Sequence, residues 1–228
     1  MQAFSKAIDY NFQSIEADVW LTKDNVAVLH HGFGKNGGLE GYYNRPGKVT
    51  QLTYEELSSY RTIKYGLKMP KLIDVFKLTK NIIFMNLELK GPRVELVFPH
   101  IMKLIEEYNY FNQITISSFN HEYYKKIQEY NKNNSRNIIF GFIYKKYELL
   151  KFDYNKPGNS LNIYWADATK TVCDRAHSNN MAVLAWFDIE DGETTEIYKQ
   201  LIENGVDIIC CNDPLLARKY IRYYETKK

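Results

Sequence analysis

Short apolar runs alternate with amphipathic stretches of roughly 10–15 residues through most of this chain, and no other feature limits its fold so tightly. The runs IIFMNLELK, QITISSF, NIIFGFIY, LNIYW, MAVLAWF and VDIICCND read as strands. Between them lie RVELVFPHIMKLIEEYN, HEYYKKIQEYN, TVCDRAHSNN and TTEIYKQLIENG, and PLLARKYIRYYE follows the last strand. Pro99 is expected to interrupt the first of these helices, and a short helix is expected between NIIFGFIY and LNIYW. Parallel strands need a crossover of about a dozen residues, usually helical, so the rhythm predicts β/α units on a parallel sheet. The first third obeys the same rule. QAFSKAIDYN has helical spacing, SIEADVWLT and VAVLHH are strands joined by the turn residues Lys23, Asp24 and Asn25, and Pro70 opens the helix PKLIDVFKLTK. In TYEELSSY, Thr53 and Glu56 have the spacing of a capping box. With VAVLHH set aside as an accessory strand, seven β-then-α units remain, one strand short of an eight-unit barrel. No linker or compositional break divides the sequence, so residues 1–228 are expected to form a single domain.

Composition excludes several classes of function. Lys and Arg total 30 against 27 Asp and Glu and are scattered, which argues against a nucleic-acid partner. Nineteen Tyr and 12 Phe supply a large core, so disorder is not expected. No segment reaches the roughly 18–20 apolar residues of a transmembrane helix, and MQAFSKAIDY lacks the apolar stretch of a signal peptide. Cys173, Cys210 and Cys211 have no metal-type spacing, and the adjacent pair is expected to be core thiols. His177, on a helix leading into a strand, is expected to be structural.

Against this background the stretch SIEADVWLTKDNVAVLHHG stands out. Residues two apart on a strand share a face, so Glu16, Asp18 and Trp20 point one way and Ile15, Ala17 and Val19 the other. The same alternation groups Asn86, Glu88 and Lys90 in MNLELK. A strand covered on both faces should be apolar throughout, and each buried carboxylate costs several kcal/mol unless paired or metal-bound. Three carboxylates from two strands form a hard, oxygen-only set suited to Mg²⁺ or Ca²⁺. His30 and His31 end the next strand just before a glycine loop, where an imidazole can act as general acid or base. Alternation puts the two on opposite faces, so one of them is expected to serve.

These residues closely resemble the glycerophosphodiester phosphodiesterase signature, roughly Glu-x-Asp-Val-x-Leu-Thr-x-Asp-Gly and then a short strand ending in His. PKLIDVF, NLELK, SSF, AWF and NGVDIICCNDP resemble further motifs of that family in the same order, over nearly the whole chain. The resemblance implies a TIM (β/α)8-type barrel with a divalent cation, Mg²⁺ or Ca²⁺, at its C-terminal face. It implies Glu16, Asp18 and Glu88 as metal ligands, Lys90 as a phosphate-facing cation, and Phe119 and Trp186 as substrate-contacting residues. An ungapped count from Asp18 puts His31 on the catalytic histidine and leaves His30 as the alternative; Gly32 stands where the family more often has Asp. The implied substrate is a small-molecule glycerophosphodiester, split to an alcohol and glycerol 3-phosphate; related phospholipase D-type barrels act instead on a lysophospholipid or sphingomyelin. A non-catalytic barrel acting as a binding module is the rival reading. The family opens with a strand carrying His-Arg-Gly, and MQAFSKAI matches the helix after it, so the first barrel strand is expected to be missing or incomplete. Its absence would leave strand edges unpaired and the chain poorly soluble and weakly active.

Overall fold

Helix α1 (Gln2–Asp9) is the first element, and no strand precedes it among the residues described by this computed structural model: 1–32, 34–146, 148 and 152–226. The chain divides into two units, residues 1–138 and 139–228. In the first, α1 leads into β1 (Ser14–Leu21), which reverses at Lys23–Asn25 into β2 (Ala27–Leu29). Asn25 takes φ 60°, a left-handed conformation that Asn tolerates. A long excursion carrying α2 (Tyr54–Ser58) then reaches α3 (Leu72–Thr79), β3 (Phe84–Leu89), α4 (Val94–Glu107), β4 (Ile114–Ser118) and α5 (Glu122–Asn134). The strand order is β2-β1-β3-β4, with β1–β2 antiparallel and the other pairs parallel. In the second unit β5 (Ile139–Ile143), β6 (Ser160–Tyr164), β7 (Ala182–Trp186) and β8 (Ile208–Cys210) lie in sequence order and are parallel. Helices α6 (Lys170–His177), α7 (Thr195–Asn204) and α8 (Pro214–Glu225) follow β6, β7 and β8.

Local chemistry sets these boundaries. The Thr53 hydroxyl accepts the Glu56 N–H, and the Glu56 carboxylate accepts the Thr53 N–H at 2.7 Å, so the expected capping box forms. Thr194 and Asp213 cap α7 and α8, and Gly205 at φ 88° ends α7. Pro99 does not interrupt α4, contrary to expectation. Pro99 and Glu95, the residue whose carbonyl loses its helical partner, both lie on the exposed face, where an unpaired carbonyl costs least. Cys210 and Cys211 are half-buried rather than core residues, because β8 is the end strand of its order. His177 pairs with Asp207 at 2.9 Å, as a structural residue would. The short helix expected between β5 and β6 falls in part on residues 147 and 149–151, outside the described residues.

The excursion between β2 and α3 folds onto its own small core. Trp20, Val28, Leu39, Tyr43, Val49, Leu57, Tyr60 and Met69 are buried together. The Trp20 indole donates to the His30 carbonyl at 2.9 Å, and Gly37 packs so closely that a Cβ would sit 3.0 Å from the indole ring. Asp24 fastens the excursion to the strands. Its carboxylate accepts the Thr22 hydroxyl and the N–H of Tyr54, the first residue of α2. Partial burial pushes the Asp24 carboxyl up, but these hydrogen bonds outweigh it and hold the group below its ordinary value.

A carboxyl depressed on folding contributes stability that is present above its unfolded value, about pH 4, and is lost as the pH falls through the lower folded value. Asp24→Asn should therefore lower stability at neutral pH while losing less than the native chain between about pH 4 and 2. Urea midpoints across that range measure the difference, and parallel acid profiles would contradict this role for Asp24.

Candidate active site

The parallel register of β1 and β3 sets Glu16 beside Asn86 and Asp18 beside Glu88. On the next strand Ser117 is beside Glu88. One oxygen from each of Glu16, Asp18 and Glu88 lies within 4.8 Å of the other two. Oxygens on opposite sides of one Ca²⁺ are about 4.6–5.2 Å apart, so the three donors fit a single ion. Lys90 follows β3, its own N–H held by the Val19 carbonyl at 3.0 Å. Its ammonium lies 3.0 Å from Asp18 Oδ1 and 2.5 Å from Glu88 Oε1. Two further polar atoms on this patch are buried without a hydrogen-bond partner, Asn86 Oδ1 and Ser117 Oγ. Such atoms point to an ion or water in the native site. Neither was among the expected site residues, although Asn86 shares the Glu88 face in the sequence.

Electrostatics at this patch are strained. Burial pushes the Glu16 carboxyl well above its ordinary value, with repulsion from Asp18 and Glu88 adding to it and Lys90 opposing. Glu16 nevertheless keeps accessible surface, so the repulsion is the cause its geometry independently supports. Burial and Asp18 raise the Glu88 carboxyl, whereas Lys90 lowers it. Burial lowers Lys90, but Glu88 and Asp18 outweigh it and hold the ammonium above its usual range. Read separately, Glu88 tends to neutrality and Lys90 to charge. The geometry supports the charge on Lys90, whose ammonium has carboxyl oxygens of both Asp18 and Glu88 within 3.0 Å. A cation has the chemistry to relieve the remaining crowding.

His30 and His31 occupy different environments. His30 is buried, its Nε2 donates to the Gly38 carbonyl at 2.8 Å, and the Tyr42 and Tyr43 rings stand edge-on to it at 5.3 and 5.5 Å. Burial pushes its imidazole below the usual value, with the Gly38 carbonyl opposing. His31 is exposed, and its Nδ1 lies 3.3 Å from the Tyr42 hydroxyl. Burial, with Asp18 adding, raises the Tyr42 hydroxyl, so it stays protonated and can donate to Nδ1. That tautomer carries its proton on Nε2. No sequence signal marked Tyr42, which reaches His31 only through the folding of the excursion. Phe119 follows β4 and is 41% exposed, its ring 5.5 Å from Lys90 Nζ. Trp186 ends β7 in the second unit, against the Tyr164 ring at 5.4 Å. Within that unit the Tyr164 hydroxyl donates to Asp191 at 3.0 Å.

Comparison with known proteins gives concordant results. The sequence profile of the glycerophosphoryl diester phosphodiesterase family matches residues 1–216. A glycerophosphodiester phosphodiesterase of Caldanaerobacter subterraneus subsp. tengcongensis is 28% identical, over 93% of this chain and 87% of its own. A solved glycerophosphodiester phosphodiesterase-like protein of Galdieria sulphuraria superposes with a TM-score of 0.82 at 21% identity, covering 97% of this chain and 90% of its own. An Oleispira antarctica phosphodiesterase, solved in complex with the product sn-glycerol-3-phosphate, gives 0.75 at 18% identity over 97% and 90%. The likeness to these structures shows an α/β fold of the TIM-barrel class.

Gly32, where the family more often has Asp, is fixed by local packing. Its φ is 64°, and a Cβ would meet the Gly37 Cα at 2.9 Å and the His30 ring at 3.1 Å. Gly32→Asp should therefore destabilise the chain, mainly through that backbone contact, since Asp tolerates the left-handed conformation better than most residues. Gly34→Asp has a similar φ of 65° but nothing within 4 Å, and should cost less. Equal melting temperatures for the two variants would show that the close approach at Gly32 yields freely.

Proposed function

Because the chain belongs to the glycerophosphoryl diester phosphodiesterase family, we propose that it hydrolyses glycerophosphodiesters to an alcohol and glycerol 3-phosphate with a divalent cation, Mg²⁺ or Ca²⁺. The observation that carries this reading is the convergence of Glu16, Asp18 and Glu88 within 4.8 Å, with Lys90 against two of them. Those three carboxylates would hold the ion. When bound, such an ion supplies Lewis-acid charge to phosphate oxygens and lowers the pKa of an attacking hydroxyl or water. Lys90 would turn its ammonium to the phosphoryl oxygens and stabilise charge developing there. His31 would exchange a proton with the attacking or leaving oxygen through Nε2, its ring oriented by the Tyr42 hydroxyl at Nδ1. His30, donating to Gly38 from a buried position, would hold the loop instead. Phe119, beside Lys90, would line the substrate side of the patch. The role of Trp186 rests on the family resemblance alone.

Calorimetric titration with Ca²⁺ and Mg²⁺ tests the ion site: Glu16→Gln and Glu88→Gln should each abolish or severely weaken binding, and unchanged binding of both ions would refute the assignment. Hydrolysis of glycerophosphocholine tests the histidines. His31→Ala should lower kcat by ~10²–10⁴-fold with an unchanged melting temperature. His30→Ala should instead lower the melting temperature, through ~1–3 kcal/mol of lost hydrogen bonding and packing. The reverse pattern would exchange their roles.

A further inference from the structure

The excursion between β2 and α3 includes a turn that serves neither its small core nor the acidic patch. Ile63 and Tyr65 stand at the turn, 63% and 65% exposed. The exposure does not come from a loose chain. Thr62 N–H donates to the Leu67 carbonyl and Gly66 N–H to the Thr62 carbonyl, both at 2.8 Å, while Leu67 N–H donates to the Thr62 hydroxyl at 2.9 Å. Thr62 also bridges to Tyr43, and Ile63 N–H donates to the Tyr42 carbonyl at 2.9 Å. The backbone is thus committed to a form that presents two large apolar side chains to solvent.

The segment that forms the turn carries charge of one sign. Residues 57–73 contain Arg61, Lys64, Lys68 and Lys71 and no Asp or Glu, in a chain whose 30 basic and 27 acidic residues nearly cancel. Lys64 and Lys68 are exposed beside the apolar pair. We propose that this turn is a docking surface for an anionic phospholipid bilayer. Ile63 would enter the boundary between headgroups and acyl chains, Tyr65 would sit at headgroup level, and Lys64 and Lys68 would meet lipid phosphates. Two apolar side chains are too few for a stable protein interface, which takes about 800 Å² from each partner. A bilayer sets no such minimum, and charge and insertion add. Attachment of this kind is peripheral and reversible, and among the described residues no helix is long and apolar enough to cross a membrane. Since Ile63 is bonded to Tyr42, and the Tyr42 hydroxyl lies beside His31, docking would bring the histidine loop to the lipid surface.

Co-sedimentation of the full chain with vesicles tests the proposal without reference to hydrolysis. The chain should pellet with phosphatidylcholine vesicles containing phosphatidylglycerol, less with phosphatidylcholine alone, and progressively less as salt is raised. Lys64→Glu with Lys68→Glu should weaken binding by at least about five-fold per lysine, and Ile63→Ser with Tyr65→Ser should weaken it comparably. A Tyr65→Trp variant should be quenched by brominated lipid on binding. All these variants should hydrolyse a water-soluble diester as the native chain does, if the proposed activity holds, so the two readings fail separately. A native chain that ignores anionic vesicles, a serine variant that binds undiminished, or an unquenched Tyr65→Trp variant would overturn the proposal.

Discussion

Asp18 and Glu88 face each other across neighbouring parallel strands, and the first unit is arranged so that their repulsion does not part the strands. Two carboxylates about 5 Å apart repel by ~3 kcal/mol at an effective dielectric constant near 20, against a stability of ~5–15 kcal/mol for a whole domain. Two features oppose this. The β1–β3 ladder pairs six positions from Ser14 to Val19, and Ala17, Val19, Leu87 and Leu89 are buried on the faces opposite the charges. Lys90 places its ammonium between the two carboxylates while its N–H extends the ladder to the Val19 carbonyl. One residue therefore neutralises charge and fixes backbone at the same point.

The excursion that carries the histidines depends on that ladder as well. Trp20 is two residues beyond Asp18 on the same face, and its indole is the floor against which Gly37 and Gly91 pack. The indole N–H holds the His30 carbonyl, so the path of the chain through the two histidines is tied to β1. Thr22 and Asp24 complete the attachment by bonding the strand turn to α2. The Leu-Thr-x-Asp portion of the signature (residues 21–24) acts here as a fastening, whereas the Glu-x-Asp portion (residues 16–18) supplies the charges.

Much of this was legible in the sequence because it depends on periodicity. Strand alternation placed Glu16 with Asp18 and Glu88 with Lys90, and parallel register then brought the two pairs together. The capping box and the accessory strand were equally local. What could not be read was set by packing at longer range. Nothing in LHHG distinguishes the two histidines until the Gly38 carbonyl and two tyrosine rings enclose His30. Pro99 reads as a helix breaker unless it is known that the carbonyl it leaves unpaired belongs to a residue on the exposed face. The adjacent cysteines read as core because the apolar run around them does not reveal that β8 ends its strand order.

The formal charge of the patch links the proposed substrate to the proposed ion. Fully ionised, Glu16, Asp18 and Glu88 would carry −3 against +1 on Lys90, a state that the raised Glu16 and Glu88 carboxyls resist by holding protons. A phosphodiester is itself an anion, so these residues alone would repel the substrate proposed for them. Lys90 cannot offset this, since its ammonium is already shared by Asp18 and Glu88. A divalent cation brings the sum to zero and lessens the demand of the carboxylates on Lys90, leaving that ammonium available to an incoming phosphate. The diesterase and metal readings therefore support each other: with its carboxylates ionised and no ion among them, this patch would have the wrong sign for the proposed substrate.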